Sequence, residues 1–170
     1  MIPRLIHRIW LADPMPDPFA GHGERWTELH PGWEVIDWRC TALLPEIRNR
    51  DIFDRAKEFY PLDWKRFQAD LLRLELLWRY GGLYVDTDAV PHRNVEPLLE
   101  DASFLAGRSP QTWRGKHPIT NAVMAAIPAH PFVEACIEAV PEAVARYRGK
   151  PLARSVGPWL LTRVHESAEW

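Results

Sequence analysis

Gly81-Gly82-Leu83-Tyr84-Val85-Asp86-Thr87-Asp88-Ala89-Val90-Pro91 is the stretch on which the reading of the whole chain turns. A pair of glycines ends the helical pattern before it and supplies a left-handed turn. Leu83, Tyr84 and Val85 suit a strand. Residues two apart on a strand face the same way, so Asp86 and Asp88 are expected to converge on one ion. Hard oxygen donors of this kind suit Mg2+ or Mn2+, which in turn hold phosphates. In open α/β sheets ligands bind beyond the carboxyl ends of strands, where this pair falls. The plainer reading is a turn, since aspartates followed by a proline close many strands with no ligand at all. Asp-x-Asp alone does not choose between the two.

Working outward, the pattern immediately upstream predicts a helix over residues 64–80. Asp63 reads as its N-cap, and Phe67, Leu71, Leu74 and Trp78 repeat at helical spacing. Asp70 and Arg73 are three apart, share a face and lie near the apolar stripe. On their own they read as an ion pair on a solvated face. Further back, residues 5–10 read as a first strand, and the prolines of 11–18 forbid a helix there. A short helix over 23–30, a strand over 33–38 and helices over 45–50 and 52–60 follow. Downstream the pattern gives a short helix at 95–99, a strand at 103–107, an exposed loop at 108–117 and helical stretches at 121–127 and 131–148. Pro141 is the place where the last of these would divide. Strands alternating with helices imply an α/β fold with a largely parallel sheet.

Composition narrows the partners. The chain has 170 residues, enough for one domain with a core of its own, and its 46% apolar and 26% charged content is ordinary. A net charge of -2 gives no overall case for nucleic acid or an anionic membrane. Cys40 and Cys136 make no disulfide framework, and residues 1–7 lack the apolar core of a signal peptide. No stretch is long enough for a membrane span, so a cytoplasmic location is expected. Nine tryptophans are a heavy load, to which both the core and rings that stack on bases or sugars would contribute.

Taken together, Ile2-Pro3-Arg4-Leu5-Ile6-His7-Arg8-Ile9-Trp10, then Asp70-x-x-Arg73, then Tyr80 through Asp88 resemble the Asp-x-Asp sugar transferases. That family includes fungal initiating mannosyltransferases, capsular polysaccharide transferases of polysaccharide biosynthesis and, more remotely, large toxin glucosyltransferases. The resemblance covers roughly the first hundred residues, with looser matches at Asn121, His130-Pro131, Gly157-Pro158 and Leu161-Thr162. It implies a single GT-A type (Rossmann-like) domain over residues 1–170, a UDP- or GDP-hexose donor, Mn2+ or Mg2+, and a glycan, protein or other hydroxyl acceptor. By the same resemblance Trp10 stacks on the donor base, and Asp70 and Arg73 hold the sugar and diphosphate. Asp86 touches ribose, sugar or metal, Asp88 is the firmest metal ligand, and transfer proceeds with retention.

Relatives commonly run on to a histidine and a Ser-Trp pair that complete the metal and phosphate site. Here His165, Ser167 and Trp170 are either a compressed version of that ending or an unrelated tail. His7 reads as a satisfied core histidine and Asn121 as a helix cap or an acceptor-side group. A rival reading is a haloacid-dehalogenase-type phosphatase, with Asp86 as nucleophile and Asp88 as acid. Its motif would then sit too late in the chain, Lys116 and Lys150 lack the right setting, and Glu100-Asp101 is too close. A non-catalytic sugar- or nucleotide-binding relative is the other.

Overall fold

The computed structural model of the protein describes residues 1–12, 14–39, 44–112 and 115–168. One sheet organises them, built of β1 (Leu5–Ile9), β2 (Glu34–Trp38), β3 (Gly82–Val85), β4 (Phe104–Arg108) and β5 (Ile119–Ala126), in the order β2-β1-β3-β5-β4. β1 pairs in parallel with β2 and β3, whereas β5 runs antiparallel to β3 and β4. Only β5 is reversed, so four of the five strands point the same way and the sheet is mostly parallel.

Helices cover both faces. α1 (Phe19–Leu29) lies on one; α4 (Trp64–Tyr80), α5 (Pro131–Arg146) and α6 (Pro158–Ser167) pack on the other, and α2 (Arg50–Asp54) and α3 (Ala56–Phe59) lead into α4. Along β3 the side chains alternate between the two cores. Leu83 and Val85 join Ile6, Trp26 and Trp33, while Tyr84 joins Leu72, Met124 and Phe132. Burial on both faces is why this strand reads as a continuous apolar run.

The double glycine has a steric cause. Gly81 and Gly82 have φ of 64° and 94°, and a Cβ on Gly82 would stand 2.7 Å from the Leu5 carbonyl oxygen. A Cβ on Gly81 would meet Pro128 Cδ at 2.7 Å and the Ala126 carbonyl oxygen at 2.8 Å. The turn therefore brings β3 flush between β1 and β5.

Several expectations need correction. Residues 121–127 are not helical, because Ile119–Ala126 is the strand β5, hydrogen-bonded on both sides. Ala, Val and Met at those positions tolerate a helix, but pairing to two strands overrides so weak a preference. Residues 45–49 form no helix, and α2 begins only at Arg50. α1 starts at Phe19, four residues before the predicted position. Asp63 holds the N-cap position of α4 without a side-chain capping bond. Pro141 does not divide α5. The Ile137 carbonyl, which Pro141 has no N–H to satisfy, accepts from Asn49 Nδ2 at 2.9 Å instead. Among the described residues no helix is long and apolar enough to cross a membrane.

Candidate active site

The carboxyl ends of β1 and β3 open into a cavity of about 480 Å³. Trp10, Phe19, Lys65, Arg66, Arg73, Tyr84, Asp86 and Asp88 are in its wall. β3 stops at Val85, and Asp86 to Ala89 form a turn closed by the Ala89 N–H donating to the Asp86 carbonyl at 2.9 Å. Asp86 and Asp88 therefore do not share a face by strand alternation, as the sequence suggested. They meet in one cavity because a turn carries them there.

Arg73 is the hub. Its Nη2 lies 2.6 Å from Asp70 Oδ1, and its Nη1 donates to Asp86 Oδ1 at 3.0 Å and to the Asn121 carbonyl at 2.5 Å. The guanidinium also stacks 4.4 Å from the Tyr84 ring, whose hydroxyl donates to Asp86 Oδ1 at 2.7 Å. Asn121 Nδ2 completes the set by donating to Asp70 Oδ1 at 2.8 Å. Asp70 and Arg73 are each only 4% exposed, so the solvated-face reading of this pair does not hold. Asp70 lies just behind the cavity wall rather than in it.

One buried cation thus serves two carboxylates, and the electrostatics follow. Burial raises the Asp70 carboxyl to about 6; Arg73 pulls against this and Asp86 adds to it. Burial lowers the Arg73 guanidinium, but Asp70, Tyr84 and Asp86 outweigh it and hold the proton more firmly than usual. Burial pushes the Tyr84 phenol well above its ordinary range, so it stays a donor.

The unused oxygens matter most. The bonds of Asp70 and Asp86 all fall on Oδ1, so among the described residues neither Oδ2 has a hydrogen-bond partner, nor does the exposed Asp88 carboxylate. No cluster of three or more His, Cys, Asp or Glu side chains able to hold a metal occurs among them. A closed protein cage is therefore absent from the described residues. Two carboxylates with free oxygens in one cavity fit Mg2+ or Mn2+ of the kind that takes its remaining ligands from phosphate and water.

Other expected residues divide. Trp10 stands in the cavity wall, its Nε1 donating to the Pro14 carbonyl at 3.3 Å and its ring 5.5 Å from Phe19, whereas Trp26 and Trp33 are core. His7 is buried and fully used. Its Nε2 donates to the Gly81 carbonyl at 2.9 Å and its Nδ1 accepts from Trp38 Nε1 at 3.2 Å, so it is neutral and structural, and burial lowers its pKa. Asn121 is neither a helix cap nor exposed, but a strand residue inside the Arg73 network. His165 and Ser167 belong to α6. His165 packs 6.1 Å from Phe132 and lines a different cavity, and Trp170 lies outside the described residues.

The sequence reading missed two groups. His22 Nδ1 donates to the Thr87 carbonyl at 3.0 Å and Trp26 Nε1 to the Ala89 carbonyl at 3.0 Å, so α1 grips the turn that bears Asp88. Lys65 and Arg66 were also overlooked. Both sit in the first turn of α4, which has no acidic residue, and cations there oppose the helix dipole. A locally unfavourable charge next to a cavity was the signal available.

With this geometry in view, the comparisons place the chain by class. It belongs to the family of glycosyltransferase sugar-binding regions containing a DXD motif, matched over residues 16–105. It is similar to inositol phosphoceramide mannosyltransferase 3 of Schizosaccharomyces pombe, 29% identical over 164 residues, covering 95% of this chain and 44% of the relative. Among solved structures it is similar to the PaToxG glycosyltransferase, with a TM-score of 0.71 at 14% identity over 98% of this chain and 69% of that one. It is similar too to the UDP-bound glycosyltransferase domain of the YGT toxin, with a TM-score of 0.60 at 13% identity, over 98% of this chain and 77% of that one. These likenesses show that the fold is of the GT-A kind. The chain spans about half or less of the length of the curated relatives it matches. The phosphatase reading falls with the family match; Lys116, moreover, is paired with Glu166 at 2.8 Å, away from Asp86 and Asp88.

Proposed function

We propose that residues 1–170 act as one glycosyltransferase unit that moves a hexose from a UDP- or GDP-sugar to a hydroxyl of a saccharide or other acceptor. The observation that carries this is Arg73, held between Asp70 and Asp86 in the cavity that Asp88 and Trp10 also line. The relative named as a mannosyltransferase and the UDP-bound neighbour support a hexose and a nucleotide donor.

In this reading the Trp10 ring takes the base. Lys65 and Arg66, exposed at the start of α4, face the diphosphate together with Arg73. Asp70, behind the cavity wall, fixes Arg73 through its Oδ1, and its negative charge favours the oxocarbenium-like sugar as the glycosyl–phosphate bond breaks. Asp86 and Asp88 would hold a divalent cation, which would neutralise the charge growing on the leaving diphosphate. Arg73 adds a fixed positive charge to the same end. Among the described residues of the cavity wall no side chain stands out as a nucleophile, and in this reading transfer proceeds with retention, the departing phosphate taking the acceptor proton.

The test is thermal unfolding against UDP-, GDP- and TDP-hexoses with and without Mn2+, followed by a transfer assay on the donor that binds. At a hundredfold excess over its dissociation constant a donor stabilises by about 2.7 kcal/mol. The shift should require the metal and vanish in Asp88→Asn, which should unfold at the same temperature as the parent when no ligand is present. A shift without hydrolysis or transfer would favour the non-catalytic relative, and no shift with any donor would end the donor-site reading.

A further inference from the structure

Arg8 is a charge set in an apolar core. On β1 the side chains of Ile6 and Arg8 point to the same face, and there Ile6 joins Trp26, Trp33, Leu83 and Val85. Arg8 is 1% exposed, and its charge is poorly met. Nη1 lies 3.1 Å from Oδ1 of Asp37, the residue opposite it on β2. Yet neither that oxygen nor Arg8 Nε has a hydrogen-bond partner among the described residues. Burial of a charge with bonds left unmade works against the fold. Such local conflicts mark functional or strained sites.

The remaining contacts of Arg8 say what it holds. Nη2 donates to the Phe19 carbonyl, in the first turn of α1, and lies 3.6 Å from Met15 Sδ in the loop before it. The helix is shaped to receive the guanidinium. One turn on, a Cβ at Gly23 would stand 1.7 Å from Arg8 Nη1, so Arg8 fills the space that a side chain there would take. α1 lacks the usual local anchors, since Pro18 at its N-cap makes no side-chain bond and its first turn has no acidic residue.

That first turn is part of the donor cavity. Phe19 and Trp10 both line it, with their rings 5.5 Å apart, and Trp10 follows Arg8 by two residues. Arg8 thus ties both members of the pair to one point, Trp10 through the backbone of β1 and Phe19 through its carbonyl. Further along α1, His22 and Trp26 bond the turn that bears Asp88. The helix therefore has two separate anchors, one beside the rings and one beside the acids. We infer that Arg8 is a positioning residue for the base of the nucleotide-sugar donor, acting through Phe19 on the Trp10 ring. Arg8 itself is not in the cavity wall. The inference rests on the donor-site reading above.

The test is calorimetry in the presence of Mn2+ with UDP, GDP and ribose 5-diphosphate, which has the ribose and phosphates of a nucleotide but no base. The parent should bind UDP or GDP at least about tenfold more tightly than ribose 5-diphosphate, as one stacked base implies. In Arg8→Met that preference should fall to about threefold or less. Ribose 5-diphosphate should bind as in the parent, with the same dependence on Mn2+. Asp37 is 26% exposed and keeps Arg39, so Arg8→Met strands no buried charge and should unfold near the parent's temperature. Gly23→Ala is the second variant and decides alone should Arg8→Met not fold. Its methyl group displaces only the end of a flexible side chain, and alanine suits a helix better than glycine. It should lower the base preference in the same way. An equal loss for nucleotide and ribose 5-diphosphate, or a full base preference kept in the folded variants, would overturn the inference and leave the donor reading intact. A parent that binds nucleotide no more tightly than ribose 5-diphosphate would overturn it too. A parent that binds none of the three would overturn the donor reading, and this inference with it.

Discussion

The two ends of β3 are built on opposite principles. At its entry, Gly81 and Gly82 press backbone against the backbone of Leu5 and Ala126, with no room for a methyl group. At its exit, the turn from Asp86 to Ala89 is held by its carbonyls, which accept from His22 and Trp26, while the Asp88 carboxylate has no partner among the described residues. The first end is fixed by exclusion of volume. The second is fixed by hydrogen bonds to the main chain, so that side chains stay available. A strand only four residues long can carry a site when its entry is rigid and its exit is clamped without using the acids.

If that contrast is right, variants at the two ends should separate stability from activity. The largest effect belongs to Arg73→Gln, because Arg73 is the shared partner of Asp70 and Asp86 and serves both purposes. Leaving two carboxylates without their cation should cost about 3–5 kcal/mol in urea unfolding, with transfer lost as well. An Arg73→Gln protein as stable as the parent would show that the network is not part of the fold's support. Gly82→Ala comes next. Positive φ and a 2.7 Å approach to the Leu5 carbonyl should together cost about 2–4 kcal/mol, while the folded fraction keeps its donor affinity. A Gly82→Ala protein that stays folded yet loses the donor would break the division between the ends.

The sequence carried this contrast unevenly. The glycine pair was legible because its steric demand is local and the helix before it has a clean period; α4 was placed to the residue. The roles of Asp70 and Arg73 in a shared network were not, since the partners that make the pair more than an i,i+3 ion pair are Asp86, Tyr84 and Asn121, which only the fold brings near. Asn121 was doubly hidden. Its neighbours favour a helix by propensity, and the strand pairing that makes it a strand residue is long-range. α1 was legible as a helix but not as a clamp, because nothing local says that Trp26 will meet Ala89, 63 residues on.

That clamp gives the smallest and most discriminating effect. Trp26→Phe keeps most of the ring in the core beside Ile6 and Val85 but removes the donor to the Ala89 carbonyl. One lost hydrogen bond should cost about 1 kcal/mol of stability. The bond holds the turn and touches no ligand, so its loss should loosen Asp88 and weaken metal-dependent donor binding, while donor base preference stays with Trp10. The decisive readout is the Mn2+ concentration needed for half of the donor-induced thermal shift. It should rise several-fold in Trp26→Phe, at a displacement of about 1 kcal/mol, and stay unchanged in Trp33→Phe, a core tryptophan bonded to Glu96 instead of to the turn. Equal responses of the two variants would mean that the turn holds its shape without α1, and that the exit of β3, like its entry, is fixed by packing.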